Sequence, residues 1–213
     1  MSEVINVEWK NLGTLEVFPP ANYDVINGVY LFVYDNKIIY VGESGNMFIR
    51  IKHHTINFKN GLGTIWNPSE GESVYDLMNK NYHKYSKLES DHKVWIPSSV
   101  VNLSHFHGYS FKEWQDENIS INDYLKKVTV WVGKIDPTKD EKIDKEKRTL
   151  LETAIQINLQ HEFQISYYSD TTEFCWLGKL EHSLQAIIGL EAHSSNLPDL
   201  EESSLKVLKH IFK

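Results

Sequence analysis

The stretch Gly28-Val29-Tyr30-Leu31-Phe32-Val33-Tyr34-Asp35-Asn36-Lys37-Ile38-Ile39-Tyr40-Val41-Gly42 decides how this chain folds. Two runs rich in β-branched and aromatic residues flank an Asp-Asn-Lys turn, the pattern of an antiparallel hairpin. Side chains alternate between faces along a strand, so the turn determines which residues share a face. A two-residue loop at Asp35-Asn36 sets Tyr30 opposite Val41 and sends Tyr40 to the other side of the sheet. A three-residue loop through Lys37, or an equivalent bulge, pairs Phe32 with Tyr40 and puts Tyr30 and Tyr40 on one face. A polar site shared by the two phenols calls for the second register.

Beyond the hairpin, Ser44 or Asn46 can cap a helix running from Met47 to His54. On it Met47 and Ile51 share one face, while Arg50 and His54, four apart, share another. Upstream, residues 1–27 read as irregular, with Pro19-Pro20 as a stiff break. Downstream, residues 60–125 are rich in Asn, Ser, Tyr, Trp and His, with short helices expected at 72–89 and 111–118. Val128 to Ile135 reads as a strand stopped by Asp136-Pro137. A charged helix start at 139–148 leads into an amphipathic run from Leu150 to Ile157. One or two helices are expected from 176 onward, closing through Leu205-Lys206-Val207-Leu208-Lys209. No internal repeat is visible.

The chain has 213 residues, long enough for one substantial domain that buries roughly 70% of its unfolded surface without disulfides or structural metals. Hydrophobic residues at 41% and charged residues at 24% exclude a disordered, collagen-like or coiled-coil protein. The apolar runs are too short to span a bilayer. Met1-Ser2-Glu3-Val4 lacks the basic and apolar regions of a secretory leader, and Cys175 is the single cysteine, so a cytoplasmic protein is expected. A net charge of −7 argues mildly against a nucleic-acid partner, although a local basic patch can coexist with an acidic surface. Arg50 and Arg148 are the only arginines.

Gly28-Val29-Tyr30, nine intervening residues and Tyr40-Val41-Gly42 together resemble the signature of the GIY-YIG nuclease family. In that family an arginine follows the second tyrosine by ten positions, where Arg50 stands. Some branches, restriction endonucleases among them, add a histidine four residues later, where His54 stands. Asn46-Met47 is similar to the family's helix entry. A later strand followed by a helix with a metal-binding glutamate is matched by 128–135 and Glu152. Two features depart from the pattern. The spacing between the tyrosine triplets is slightly short, and the asparagine expected about twelve residues beyond the glutamate falls on Gln164, while Asn158 comes too early.

The residue chemistry is consistent with this resemblance. Phosphodiester hydrolysis needs a positioned water, an acceptor for its proton and a cation to offset charge on the phosphoryl oxygens. Arginine suits the last task because it is permanently charged and grips two oxygens. As the resemblance implies, Tyr30 is the leading candidate general base and Tyr40 positions water or phosphate. Arg50 stabilises transition-state charge, and His54 assists proton transfer or phosphate binding. Glu152 holds Mg²⁺ or Mn²⁺. Glu146 is the competing metal ligand, Asp144 lies on the same stretch, and Arg148 can pair with Glu152 as an ordinary helix contact one turn apart.

Specificity in so small a core is expected to come from added segments. Residues 79–95 supply Lys80, Lys84, Lys87 and Lys93 with Tyr82 and Tyr85, a set suited to double-stranded DNA, although Glu89 and Asp91 equally suit a solvated polar helix. His105-Phe106-His107 has no partner motif for zinc. The expected fold is α+β and one domain over 1–213: a small, mostly antiparallel sheet of hairpin plus third strand, flanked by helices. Its core spans about 26–60 and 126–165, with an insertion at 61–125 and a helical C-terminal extension at 166–213. The implied function is a metal-dependent DNA endonuclease, sequence-specific if it follows the restriction branch, and a palindromic target would call for a homodimer. The alternatives are a catalytically inactive binding module for nucleic acid or protein on the same fold, and an acidic interaction protein in which the motif is accidental.

Overall fold

The computed structural model describes residues 4–18, 27–59, 121–162 and 190–213. Their strands are β1 (Ile5–Thr14), β2 (Gly28–Tyr34), β3 (Lys37–Ser44), β4 (Val128–Ile135) and the short β5 (Ala192–His193). Their helices are α1 (Met47–Lys59), α2 (Ile121–Lys127), α3 (Glu141–Glu162) and α4 (Glu202–Ile211). The strands form one curled sheet in the order β3-β2-β4-β1-β5. Every pairing is antiparallel except β1 with β5. Among the described residues the fold is therefore mixed α and β on a mostly antiparallel sheet.

The hairpin resolves its register by a bulge. Asp35 and Asn36 form a two-residue turn with φ of 54° and 61°, the left-handed geometry that matches strand twist and that Asp and Asn tolerate. Val33 then faces Ile38, and the register shifts so that Phe32 faces Tyr40 and Tyr30 faces Gly42. The unpaired residue is Ile39. Its insertion brings Tyr30, Phe32 and Tyr40 onto one side of the sheet, as a shared site requires.

β2 lies between β3 and β4 and is buried along its whole length, which accounts for its unbroken apolar sequence. On one side Val29, Leu31, Val33, Ile38 and Val41 join Leu151, Ala154, Ile155 and Leu159 of α3 and Val207, Leu208 and Ile211 of α4. Each such fully buried aliphatic side chain contributes roughly 1.5–3 kcal/mol relative to exposure. Tyr30, Phe32 and the facing Val130 and Val132 occupy the other side. There α1 lies against β2 and β3, burying Met47 and Ile51 completely. The sheet thus separates an aliphatic core from an aromatic, polar face.

The sequence reading of residues 1–27 as irregular is corrected by β1. Ile5, Val7 and Trp9 are buried while Asn6, Glu8 and Lys10 are exposed, an ordinary half-buried strand. The sheet consequently has five strands rather than a hairpin plus one. The strand at Val128–Ile135 and the helix following it lie where expected, as does the closing helix α4. The helices expected at 72–89 and 111–118 fall outside the described residues. So do His105, His107, Gln164 and Cys175.

Candidate active site

The site grows from the polar face of the hairpin. Tyr30 is fully buried, and its hydroxyl shares a 2.9 Å hydrogen bond with Nε2 of His54 on α1. Phe32 forms the floor, with the Tyr40 ring stacked on it at a centroid distance of 5.3 Å. The imidazole of His54 stands edge-on to both, 5.4 Å from Phe32 and 5.3 Å from Tyr40. Tyr30 and Tyr40 are 6.0 Å apart between ring centres. Tyr30 therefore lies deep, whereas Tyr40 and His54 are half-buried and Arg50 is exposed.

Local sequence explains this placement. Asn46 accepts the Ile49 amide at 3.2 Å and caps α1, fixing where the helix starts and so where Arg50 and His54 project. Gly42 faces Tyr30 across the ladder, and the Tyr30 phenol lies directly over it. A Cβ at Gly42 would overlap the ring and hydroxyl, so the second glycine of the motif is required for close approach. Gly28 serves a different purpose. There φ is +154° and a Cβ would strike the Gly133 carbonyl of β4, so the first glycine lets β2 and β4 meet.

The electrostatics couple four of the groups. Burial pushes the Tyr30 phenol well above its ordinary value, the adjacent Tyr40 adds to this, and Arg50 partly opposes it. Burial also raises Tyr40; Tyr30 and Arg50 oppose the rise, and the carboxylate of Glu152 reinforces it. His54 is pushed down to about 4 by burial, then by Arg50 and His53, so its imidazole is neutral at pH 7. Burial disfavours charge on Arg50, but the two phenols outweigh that and raise its pKa. At neutral pH the face holds two protonated phenols, a neutral imidazole and a fixed cation.

Tyr30, Tyr40, Arg50 and His54 thus come together, and the charge of Glu152 on α3 is felt at the Tyr40 phenol, whose pKa it raises. Glu146 instead is exposed. Asp144 is committed elsewhere: both its carboxylate oxygens accept the Thr138 amide, at 2.8 and 3.1 Å, and this holds its carboxyl below the usual range. The i,i+4 pairing of Arg148 with Glu152 is replaced by longer-range partners. Buried Arg148 donates through Nε to Glu43 Oε2 at 2.8 Å, through Nη2 to Glu141 Oε1 at 2.8 Å and through Nη1 to Asn27 Oδ1. Asn158 bonds the Ala154 carbonyl of its own helix at 2.9 Å. Lys80, Tyr82, Lys84, Tyr85, Lys87 and Lys93 lie outside the described residues.

Sequence reasoning missed the Phe32 floor, the contact of Gly42 with Tyr30 and the Arg148 cluster. The first has a signal in the sequence, because Phe32 shares the face of Tyr30 by alternation. Among the described residues no three His, Cys, Asp or Glu side chains converge. The available donor is a single carboxylate beside phenols and a guanidinium. Such a set fits Mg²⁺, which is commonly held by one or two carboxylates, with water and substrate oxygens filling the remaining positions. No protein-family model, curated protein or solved structure gives a significant match to the chain.

Proposed function

We propose that this chain is a metal-dependent DNA endonuclease of the GIY-YIG type that hydrolyses phosphodiester bonds. The observation that carries this reading is the convergence of Tyr30, Tyr40, Arg50 and His54 on one sheet face, with Glu152 acting on the outer phenol. On this reading 61–125 is an insertion into the core, 166–213 is a C-terminal extension, and the whole is one domain in the cytoplasm. The lysines and tyrosines of 79–95 would serve target recognition, and a palindromic target would be cut by a homodimer.

The residues divide the work by exposure. Arg50, at the open side, grips the non-bridging oxygens of the phosphate and offsets the charge that accumulates there in the transition state. Tyr40 orients the attacking water or a phosphate oxygen. Tyr30 is a neutral phenol, so it takes the water proton only while passing its own proton to Nε2 of neutral His54. Phosphate on Arg50 cancels part of the charge that depresses His54, making the imidazole a better acceptor once substrate is bound. Glu152 would hold the divalent ion, which when bound supplies additional positive charge at the phosphoryl oxygens.

The test is incubation of supercoiled plasmid with the purified protein in Mg²⁺ or Mn²⁺, with EDTA as control. Nicked or linear product that requires the metal is expected. DNA retention without any cleavage would replace the proposal with a binding module on the same fold.

A further inference from the structure

We propose that Arg148 is a positioning residue that fixes the turn of α3 bearing Glu152 relative to the open end of the hairpin; the inference rests on the nuclease reading for its consequence but not for its geometry. Arg148 is 3% exposed, an expensive location for a permanent charge unless it is paired. Each of its guanidinium nitrogens is used. Nε reaches Glu43 at the end of β3, Nη1 reaches Asn27 just before β2, and Nη2 reaches Glu141 in the first turn of α3. One side chain thereby fastens the open end of the hairpin to the helix that carries Glu152.

Two consequences follow from the spacing. Arg148 and Glu152 are one turn apart on α3, so fixing Arg148 against Glu43 also fixes the turn bearing Glu152. Glu43 pairs with Val29 and so lies on the face of β3 turned toward α3, opposite the Tyr40 phenol, and the fastening therefore sets how α3 sits against the end of that strand. The partners also matter for charge. Glu43 and Glu141 supply the two carboxylates that engage Arg148, sparing Glu152 the ordinary helix contact with it. Gly45 completes the arrangement: a Cβ there would come within 3.3–3.5 Å of Glu141 Oε1 and the Arg148 Nη atoms.

A lysine cannot reproduce this arrangement, because it offers one compact charge rather than a planar fork. The experiment compares wild type with Arg148→Lys, Arg148→Gln and Glu43→Gln, each assayed well below its own melting temperature. Loss of an orienting residue behind a metal ligand typically costs about 10–100-fold in metal affinity or activity. Arg148→Gln should lower kcat and raise the half-saturating Mg²⁺ concentration by at least about tenfold, with KM for DNA within about twofold. Arg148→Lys should fall between it and wild type. A purely structural role would lower the folded fraction and leave the Mg²⁺ dependence unchanged, and that result would overturn the inference.

A readout without turnover separates this inference from the nuclease reading. With 3-fluorotyrosine incorporated, the Tyr40 fluorine resonance reports the nearby carboxylate. Arg148→Gln should shift it as Glu152→Gln does, and the double variant should add little to either. Additive shifts would refute the positioning role even if the protein cuts DNA. Matching, non-additive shifts in a protein that cuts nothing would retain the positioning role and discard the nuclease.

Discussion

Lowering the pH should weaken this fold specifically through His54. Its imidazole titrates near 4 in the folded chain, because burial and Arg50 disfavour the cation, against an ordinary value of 6.5. Below pH 6.5 the unfolded chain therefore binds a proton that the folded chain refuses, so stability falls as pH falls. From these two values the loss is about 1.4 kcal/mol at pH 5.5 and about 3 kcal/mol at pH 4, developing across that window and levelling off below it. His54→Gln has no such proton and keeps a polar group facing Tyr30. Urea midpoints measured from pH 7.5 to 4 for both proteins isolate the effect, since all other titrating groups are common to the pair. The wild-type curve should drop relative to the variant, and the His54 Cε1 proton resonance should titrate well below 6. Parallel stability curves, or titration near 6.5, would refute the burial of a neutral imidazole beside a cation and with it the proposed proton route.

Other perturbations separate packing from chemistry. Gly42→Ala forces a methyl into the Tyr30 phenol and should cost about 1–3 kcal/mol by thermal or urea unfolding, because the ring must move away from His54 to admit it; wild-type stability would mean that the ring does not lie across the glycine. Glu152→Gln should abolish Mg²⁺-dependent cleavage with little change in melting temperature, whereas Glu146→Gln should cleave at the wild-type rate. The reverse ranking would place the metal donor on a different face of α3.

The polar face of the hairpin is readable from sequence for a physical reason. Alternation along a strand is strict, so requiring Tyr30 and Tyr40 to share a face forces an extra residue into β3, and the chain supplies it as a bulge after a two-residue turn. The capping of α1 by Asn46 is equally local. Distant partners are not readable. β1 carries a clear alternation in Ile5, Val7 and Trp9, but its partner β4 follows more than a hundred residues later and no turn announces the pairing. Arg148 shows the same limit. Within its helix Glu152 is the visible partner, while Asn27 and Glu43, 121 and 105 residues away, come close only through the tertiary fold. Short-range periodicity thus identifies the candidate groups, and long-range packing determines how they are held.

The most direct measurement is the single-turnover rate of DNA cleavage by Arg50→Ala beside wild type, at saturating protein and Mg²⁺. Arg50 is exposed, so its removal should leave the melting temperature within about 2 °C, a shift corresponding to about 1 kcal/mol or less. Loss of a charge that stabilises the transition state should slow cleavage by about a hundredfold or more. A variant that cuts as fast as wild type would contradict the account, because no fixed cation would then be needed where the two phenols and the imidazole meet.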